Sequence, residues 1–148
     1  MNSGNNTRGS TVFWLRRAYL MMRKALDEEI AGYGLTAVQL DVLMYLWQED
    51  GMEQRTLQEH MGITSATLTG IVDGVVERKL VERHLSPDDA RVKQLFLTSA
   101  GRALHDQLGS SADEFEQRLL GGFSATEAAL LREWLRRMAI NTGDTSEP

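Results

Sequence analysis

Residues 56–102 constrain the fold most strongly, because a helix–turn–helix pattern is followed there directly by a hairpin pattern. The first helix is predicted to open at Thr56 with Glu59 three residues later, the spacing of a capping box, and to end at Gly62. The pattern predicts a second helix over 64–78, with one apolar face formed by Leu68, Ile71, Val72, Val75 and Val76. A second helix that is apolar behind and small and polar in front suits insertion into a DNA major groove.

The segment that follows predicts a two-stranded hairpin. Runs 80–85 and 92–97 favour β-structure and flank the turn Ser86-Pro87-Asp88-Asp89-Ala90-Arg91. A hairpin directly after such a helix is a wing. An arginine at its tip can reach a minor groove, where negative potential is concentrated.

On these residues the chain resembles the MarR-type winged-helix transcriptional regulators. The matching segments are 57–63, 67–73, 80–83, Asp88-Asp89-Ala90-Arg91 and Leu97-Thr98-Ser99-Ala100-Gly101-Arg102. The resemblance implies that Arg91 enters a minor groove and that Asp89 holds the wing. It also implies a homodimer that binds double-stranded DNA at a pseudo-palindromic site.

Several residues of the second helix are candidate DNA contacts. Thr64 is expected to be the N-cap first and a phosphate contact second. Ser65, Thr67 and Thr69 are either DNA contacts, which we favour, or ordinary surface residues, and Gly70 lies on the same front face.

Basic residues of the wing leave two interpretations open. Lys93, a candidate DNA contact, and Arg83 either bind backbone phosphates or pair within the chain with Glu82 and Asp88.

Three positions depart from the family pattern. Many members carry glycine where Lys79 stands, so Lys79 has to accept that turn without glycine's backbone freedom. Many carry Arg or Lys at the positions of Gly70 and Gly74. These glycines either permit close approach to DNA or are merely tolerated. The helix has no basic residue before Arg78, so specificity is expected to depend on hydroxyls, thymine methyl contacts and the wing.

Charge and composition limit the possible functions. The net charge is −5 over 148 residues, but residues 77–102 carry six basic against four acidic side chains, which is compatible with modest, salt-sensitive DNA binding. The chain has no cysteine, which excludes disulfides and thiol redox sensing. We expect a cytoplasmic protein with no membrane partner, because the N-terminus is polar and no apolar stretch has the roughly 20 residues of a span.

The flanking segments predict a dimer body around the DNA-binding unit. The expected fold is mainly α with a small β-hairpin wing, a winged helix-turn-helix flanked by N- and C-terminal dimerisation helices. Further caps are predicted at Thr36 with Gln39, at Thr98, and at Ser124 with Glu127. The expected organisation is a disordered tail (1–10), an N-terminal dimerisation helix (11–35), the winged DNA-binding domain (36–98), C-terminal dimerisation helices (99–140) and a mobile tail (141–148).

A small-molecule effector site is a further expectation. Family members often bind phenolic or lipophilic ligands between the dimer helices and the winged domain. The candidate lining residues are Trp14, Arg16, Tyr19, Arg23, Tyr45 and Trp47. Core or dimer packing is the favoured alternative for these aromatic residues.

The sequence predicts no enzyme, no metal site and no cofactor, because it contains no catalytic constellation and its three histidines are scattered. The expected function is that of a homodimeric, sequence-specific transcriptional regulator. A repressor is favoured over an activator, and a small effector is expected to release it from DNA. The rival interpretation is a winged-helix protein-interaction module without DNA binding.

Overall fold

The computed structural model describes residues 9–144 as six α-helices and one β-hairpin. The helices are α1 (Thr11–Ile30), α2 (Ala37–Gln48), α3 (Gln54–Met61), α4 (Ser65–Glu77), α5 (Ser99–Leu119) and α6 (Ala125–Asn141), with a short 3-10 turn at Ala31–Tyr33. The strands are β1 (Val81–Leu85) and β2 (Lys93–Leu97). Mainly helical architecture with a wing was predicted, and it is confirmed.

Local capping sets most of the helix starts. Thr36 and Gln39 form the predicted capping box at α2, and Ser124 and Glu127 form the one at α6. Thr98 accepts the Gly101 N–H at the start of α5. These side chains satisfy backbone donors that have no partner within the helix.

The predicted capping box at Thr56 is wrong. Helix α3 begins two residues earlier, after Glu53, and Glu59 pairs with Arg55 along the same helix. Glu53 forms an isolated antiparallel bridge with Gln94 of β2. This bridge holds residue 53 in extended conformation, so the helix can start immediately after it. The predicted end at Gly62 is confirmed, with a left-handed φ of 62°.

Other boundaries differ by one residue. Leu80 and Val92 were predicted to open the strands, but both belong to turns: the Leu80 N–H donates to the Val75 carbonyl and the Val92 N–H to the Asp89 carbonyl. Ser10, placed in the tail by sequence, caps α1 by accepting the Phe13 N–H. Helix α6 includes Asn141, which was assigned to the other tail. The remainder of the two predicted tails, 1–8 and 145–148, lies outside the described residues.

The core lies inside the winged unit and the ends of the helices that join it. Antiparallel pairing of β1 and β2 runs from Val81 opposite Leu97 to Leu85 opposite Lys93. Alternate strand residues therefore face the helices. The largest fully buried side chains of this core are Ile30, Val42, Leu43, Leu46, Leu57, Leu68, Val72, Val75, Val81 and Leu95. Packing of this core holds α4 against the base of the hairpin, because Val75 of α4 and Val81 of β1 are both fully buried in it.

Candidate nucleic-acid interface

The N-terminal turn of α4 presents small polar side chains to solvent. Thr64 caps the helix by accepting the Thr67 N–H at 3.2 Å, and the two hydroxyl oxygens lie 2.8 Å apart. Ser65 and Thr67 are exposed. Leu68 on the opposite face is completely buried. The positive end of the helix dipole, together with these hydroxyls, suits contact with a phosphate or a base edge.

Thr69 has less hydrogen-bonding capacity left than its neighbours. Its hydroxyl donates to the Ser65 carbonyl at 2.9 Å and accepts from Gln54 Nε2 at 3.3 Å. The side chain is half-buried. A DNA contact by Thr69 would therefore use its methyl group or its remaining lone pair.

The two glycines of α4 differ in their surroundings. A Cβ at Gly70 would meet nothing within 4 Å, whereas one at Gly74 would lie 2.6 Å from Nε2 of Gln39. Gly74 therefore makes room for the side chain that caps α2. Gly70 leaves an opening on the front of α4.

The turn after α4 places Lys79 at a φ of 59°, in the left-handed region. The sequence comparison predicted this demand on a residue other than glycine, and the conformation confirms it. Two hydrogen bonds hold the turn: the Lys79 N–H donates to Val76 O at 2.8 Å, and the Lys79 carbonyl accepts from the Thr98 hydroxyl at 2.7 Å. They offset a conformational cost of about 1–2 kcal/mol.

Asp89 and Arg91 form one compact unit at the wing tip. Asp89 Oδ1 accepts from the Arg91 backbone N–H at 2.9 Å and from Arg91 Nε at 3.2 Å, while Oδ2 accepts from Nη2 at 3.2 Å. The hydrogen bonds from Arg91 hold the pKa of the Asp89 carboxyl below its usual range. The Arg91 side chain is 91% exposed. Its guanidinium is thus oriented by Asp89 yet open to solvent.

Arg83 makes an intramolecular pair, but its partner is not Glu82. Its Nη2 donates to Asp73 Oδ1 on α4 at 2.7 Å, and its Nε donates to Gln54 Oε1 on α3 at 3.1 Å. Glu82 pairs with His84 instead. Sequence reasoning missed this partner because 10 residues and a turn separate Asp73 from Arg83, and only the strand position brings them together.

The base of the wing is held by a second group that the sequence did not indicate. Asp50 Oδ1 accepts the Leu97 N–H at 2.7 Å, and its other oxygen pairs with Arg102. Arg102 Nη1 also donates to the Leu97 carbonyl at 2.8 Å. Arg102 belongs to the Leu-Thr-x-x-Gly-Arg segment that carried the family resemblance. These contacts anchor β2 to the start of α5.

The candidate effector residues do not line one cavity in this chain. Arg23 pairs with Asp41 at 2.6 Å and lies 6.0 Å from the Tyr19 ring centroid. Trp14 contacts Phe13 edge-on, and both Trp14 and Arg16 are exposed on α1.

The two aromatic candidates on α2 take part in other contacts. Tyr45 stacks on His60, and burial, with the negative charges of Asp41 and Asp144, raises the pKa of its phenol. Trp47 Nε1 donates to the Gly101 carbonyl at 3.0 Å. Tyr45 thus packs on the helix–turn–helix, and Trp47 on α5.

Two surface clefts are present elsewhere. One, of about 390 Å³, is lined by Asp113, Glu116, Gln117, Leu120 and Phe123, and another, of about 230 Å³, by Trp134, Arg137, Met138 and Asn141. Within residues 9–144, no group of three or more His, Cys, Asp or Glu side chains could hold a metal ion. In the same range no single helix is long and apolar enough to cross a membrane. The segments Thr11–Tyr33 and Ala37–Gln48, which are bent by 80° relative to each other, together have the length and apolar composition of a span, and no other feature supports one.

Comparison with known proteins identifies the family. A sequence model of the MarR family matches residues 35–93. The structure of a MarR-family transcriptional regulator from Rhodococcus sp. RHA1 is 30% identical, with a TM-score of 0.79 over 86% of this chain and 90% of that one. The uncharacterised HTH-type transcriptional regulator YdgJ of Bacillus subtilis is 30% identical over 73% of this chain and 66% of its own length.

A third similar protein is Bordetella bronchiseptica BpsR, from a study of the regulation of its DNA binding by 6-hydroxynicotinic acid. It is 29% identical, with a TM-score of 0.78 over 85% of this chain and 96% of that one. The wing, the capped α4 and these likenesses agree with the resemblance seen in the sequence. The chain belongs to the MarR family of DNA-binding winged-helix transcriptional regulators, a family of regulators and not of enzymes.

Proposed function

We propose that this chain acts as a homodimer that binds a pseudo-palindromic operator and represses the genes it controls. Two features found together support the proposal. Arg91 at the wing tip is exposed and oriented by Asp89, and the front of α4 at Gly70 is open. In the bound state α4 lies in a major groove and Arg91 enters the adjacent minor groove. Two-fold symmetry then requires half-sites about 10 bp apart, one helical turn. The protein works in the cytoplasm, where it meets its operator.

Exposed apolar side chains on the terminal helices support the dimer. Trp14, Val12 and Tyr19 of α1 and Trp134, Leu130 and Leu135 of α6 are all exposed in the single chain. Apolar side chains of this size on two helices need a partner surface. A second copy is the partner that also supplies the second DNA-binding unit.

Selection of bound duplexes from a random pool, compared with Arg91→Ala, tests DNA recognition. The wild type should enrich an inverted repeat, and Arg91→Ala should bind it more weakly by about 1–3 kcal/mol, the cost of a lost base contact. Lys93→Ala is the matched control: loss of a phosphate contact should weaken all sequences equally and lower the salt slope by about 1. An enriched repeat that Arg91→Ala binds equally well would exclude the wing assignment.

We further propose that a small aromatic or lipophilic effector releases the operator. The regulation of BpsR by 6-hydroxynicotinic acid supports this by similarity. Tyr19 and Arg23, which lie together, are candidate ligand contacts: an aromatic face and a cation for a ring bearing an acid group. Titration of the operator complex with aromatic acids should release DNA, and Arg23→Gln should raise the concentration needed. Release that is identical in Arg23→Gln would remove Arg23 from the site.

A protein-interaction module is the second candidate function. Helix α4 contains no Lys or Arg, and the chain has a net charge of −5. Both features lower the expected affinity for phosphate. A stable dimer with no duplex enrichment even at low salt, repeated after refolding to remove any bound effector, would favour this alternative.

A further inference from the structure

Arg83 connects the hairpin to both helices of the helix–turn–helix. It stands on β1, donates through Nε to Gln54 on α3 and through Nη2 to Asp73 on α4. Gln54 in turn donates to the Thr69 hydroxyl on α4. Among residues 9–144, the hydrogen bond from Arg83 to Asp73 is the only one that joins a side chain of the hairpin strands to a side chain of α4. The Arg83 side chain is 25% exposed, so most of its surface is covered by neighbouring residues.

Asp73 is unexpected on a DNA-facing helix. Its side chain is 57% exposed on the front of α4, and a carboxylate there repels phosphates. On charge alone, its removal should strengthen DNA binding. Its short pairing with Arg83 indicates a geometric role, because a guanidinium presents donors in a rigid fork that can bridge two fixed acceptors.

We propose that Arg83, clamped by Asp73 and Gln54, is a positioning residue that sets the spacing and angle between α4 and the wing. The clamp acts through Arg91, eight residues further along the hairpin, which reaches a minor groove only if β1 keeps its place beside α4. The proposal rests on the DNA-binding function proposed above. It adds a residue whose effect on DNA is indirect.

A double-mutant cycle on the selected operator tests the clamp. Arg91→Ala is combined with Asp73→Asn and, separately, with Arg83→Lys. Arg83→Lys keeps the charge but loses the fork, and Asp73→Asn removes a negative charge that faces DNA. Arg91→Ala should weaken binding roughly tenfold or more in the wild type and less than about threefold in either clamp variant.

Two results would overturn the proposal. One is an Arg91→Ala effect of the same size in all three backgrounds. The other is tighter operator binding by Asp73→Asn with wild-type sequence preference, since this is what charge alone predicts. Weaker and less selective binding by Asp73→Asn supports the clamp, because an electrostatic role cannot produce it.

Controls separate the clamp from folding and from the proposed function itself. Lys24→Gln breaks an exposed ion pair with Glu28 on α1 and should add independently to Arg91→Ala. Unfolding midpoints identify any variant that fails to fold, and if Arg83→Lys fails, Asp73→Asn carries the test alone. Absence of wild-type duplex binding would contradict the DNA-binding function, whereas wild-type binding with an additive cycle would contradict only the clamp.

Discussion

The winged unit and the terminal helices solve the burial of apolar surface in opposite ways. The elements from α2 to β2 supply most of the buried core, which side chains of α1 and α5 complete, and the wing is held at Asp50 and at Arg83. Along α1, by contrast, Ile30 is the only buried residue, and along α6 only Ala128 is buried. The winged unit thus buries most of its apolar side chains within the chain, while α1 and α6 leave apolar surface for a partner. In the proposed dimer, this division lets the winged unit keep its own geometry while the terminal helices assemble.

The largest expected effect is at the junction of the two regions. A Cβ on Gly101 would lie 2.1 Å from the Leu80 carbonyl oxygen, so Gly101→Ala must shift backbone. We expect a loss of about 3 kcal/mol in the free energy of unfolding. Denaturant unfolding measures it.

Gly109→Ala is the matched control for that junction. Gly109 lies on the same helix with nothing within 4 Å of its Cβ position. It should gain up to about 1 kcal/mol from helix propensity. Equal losses of stability in the two variants would show that α5 does not tolerate alanine at either glycine, and the effect would then not be specific to the junction.

The next effect concerns the surface left for a partner. Trp134→Asp places a charge on the exposed apolar face of α6, where Trp134 is 51% exposed. We expect the dimer dissociation constant to rise at least about 30-fold, since roughly 2 kcal/mol defines an interface hot spot. Sedimentation equilibrium provides the measurement. Leu85→Asp, at an exposed apolar residue of the wing, should leave the dimer intact; a dimer insensitive to Trp134→Asp would contradict the contrast between the regions.

A smaller effect is expected within the winged unit. Gly70→Ala should stabilise the fold by about 1 kcal/mol, because its Cβ meets nothing and alanine favours helix. Gly74→Ala should gain less or lose stability, since Gln39 would have to move from its capping position. Paired unfolding curves distinguish the two. A larger gain in the free energy of unfolding for Gly74→Ala than for Gly70→Ala would mean that moving Gln39 costs no stability.

The smallest effect is the titration of Asp89. Because the bonds from Arg91 lower its folded-state pKa, the stabilisation they supply is present above the unfolded pKa. It is lost as the pH falls through the lower folded value, so the wing tip should keep its pairing at pH values where an ordinary aspartate has begun to protonate. Carboxyl NMR follows this. In Arg91→Ala the pKa should return upward, and an unchanged value would assign the shift to another cause.

Short-range signals determined much of this fold from the sequence. Apolar periodicity placed five of the six helices, and Gly62 placed the end of α3. Local side-chain caps placed the starts of α2, α4, α5 and α6. The wing motif placed Asp89 and Arg91 together, because two residues and a turn suffice for their contact. Their contacts with DNA, like those of the α4 residues, stay predictions.

Only the tertiary structure decided the contacts between distant segments. The local prediction for the start of α3 was wrong because β2 holds Glu53 in an extended conformation. Arg83 pairs with Asp73 and not with its sequence neighbour Glu82. The tertiary structure also distinguishes the two glycines of α4: Gly74 leaves room for the Gln39 side chain, whereas no atom lies within 4 Å of a Cβ at Gly70. The physical reason is common to these cases. Caps and periodicity act within one or two turns of chain, whereas a long-range pair depends on strand register and helix packing, which no local pattern records.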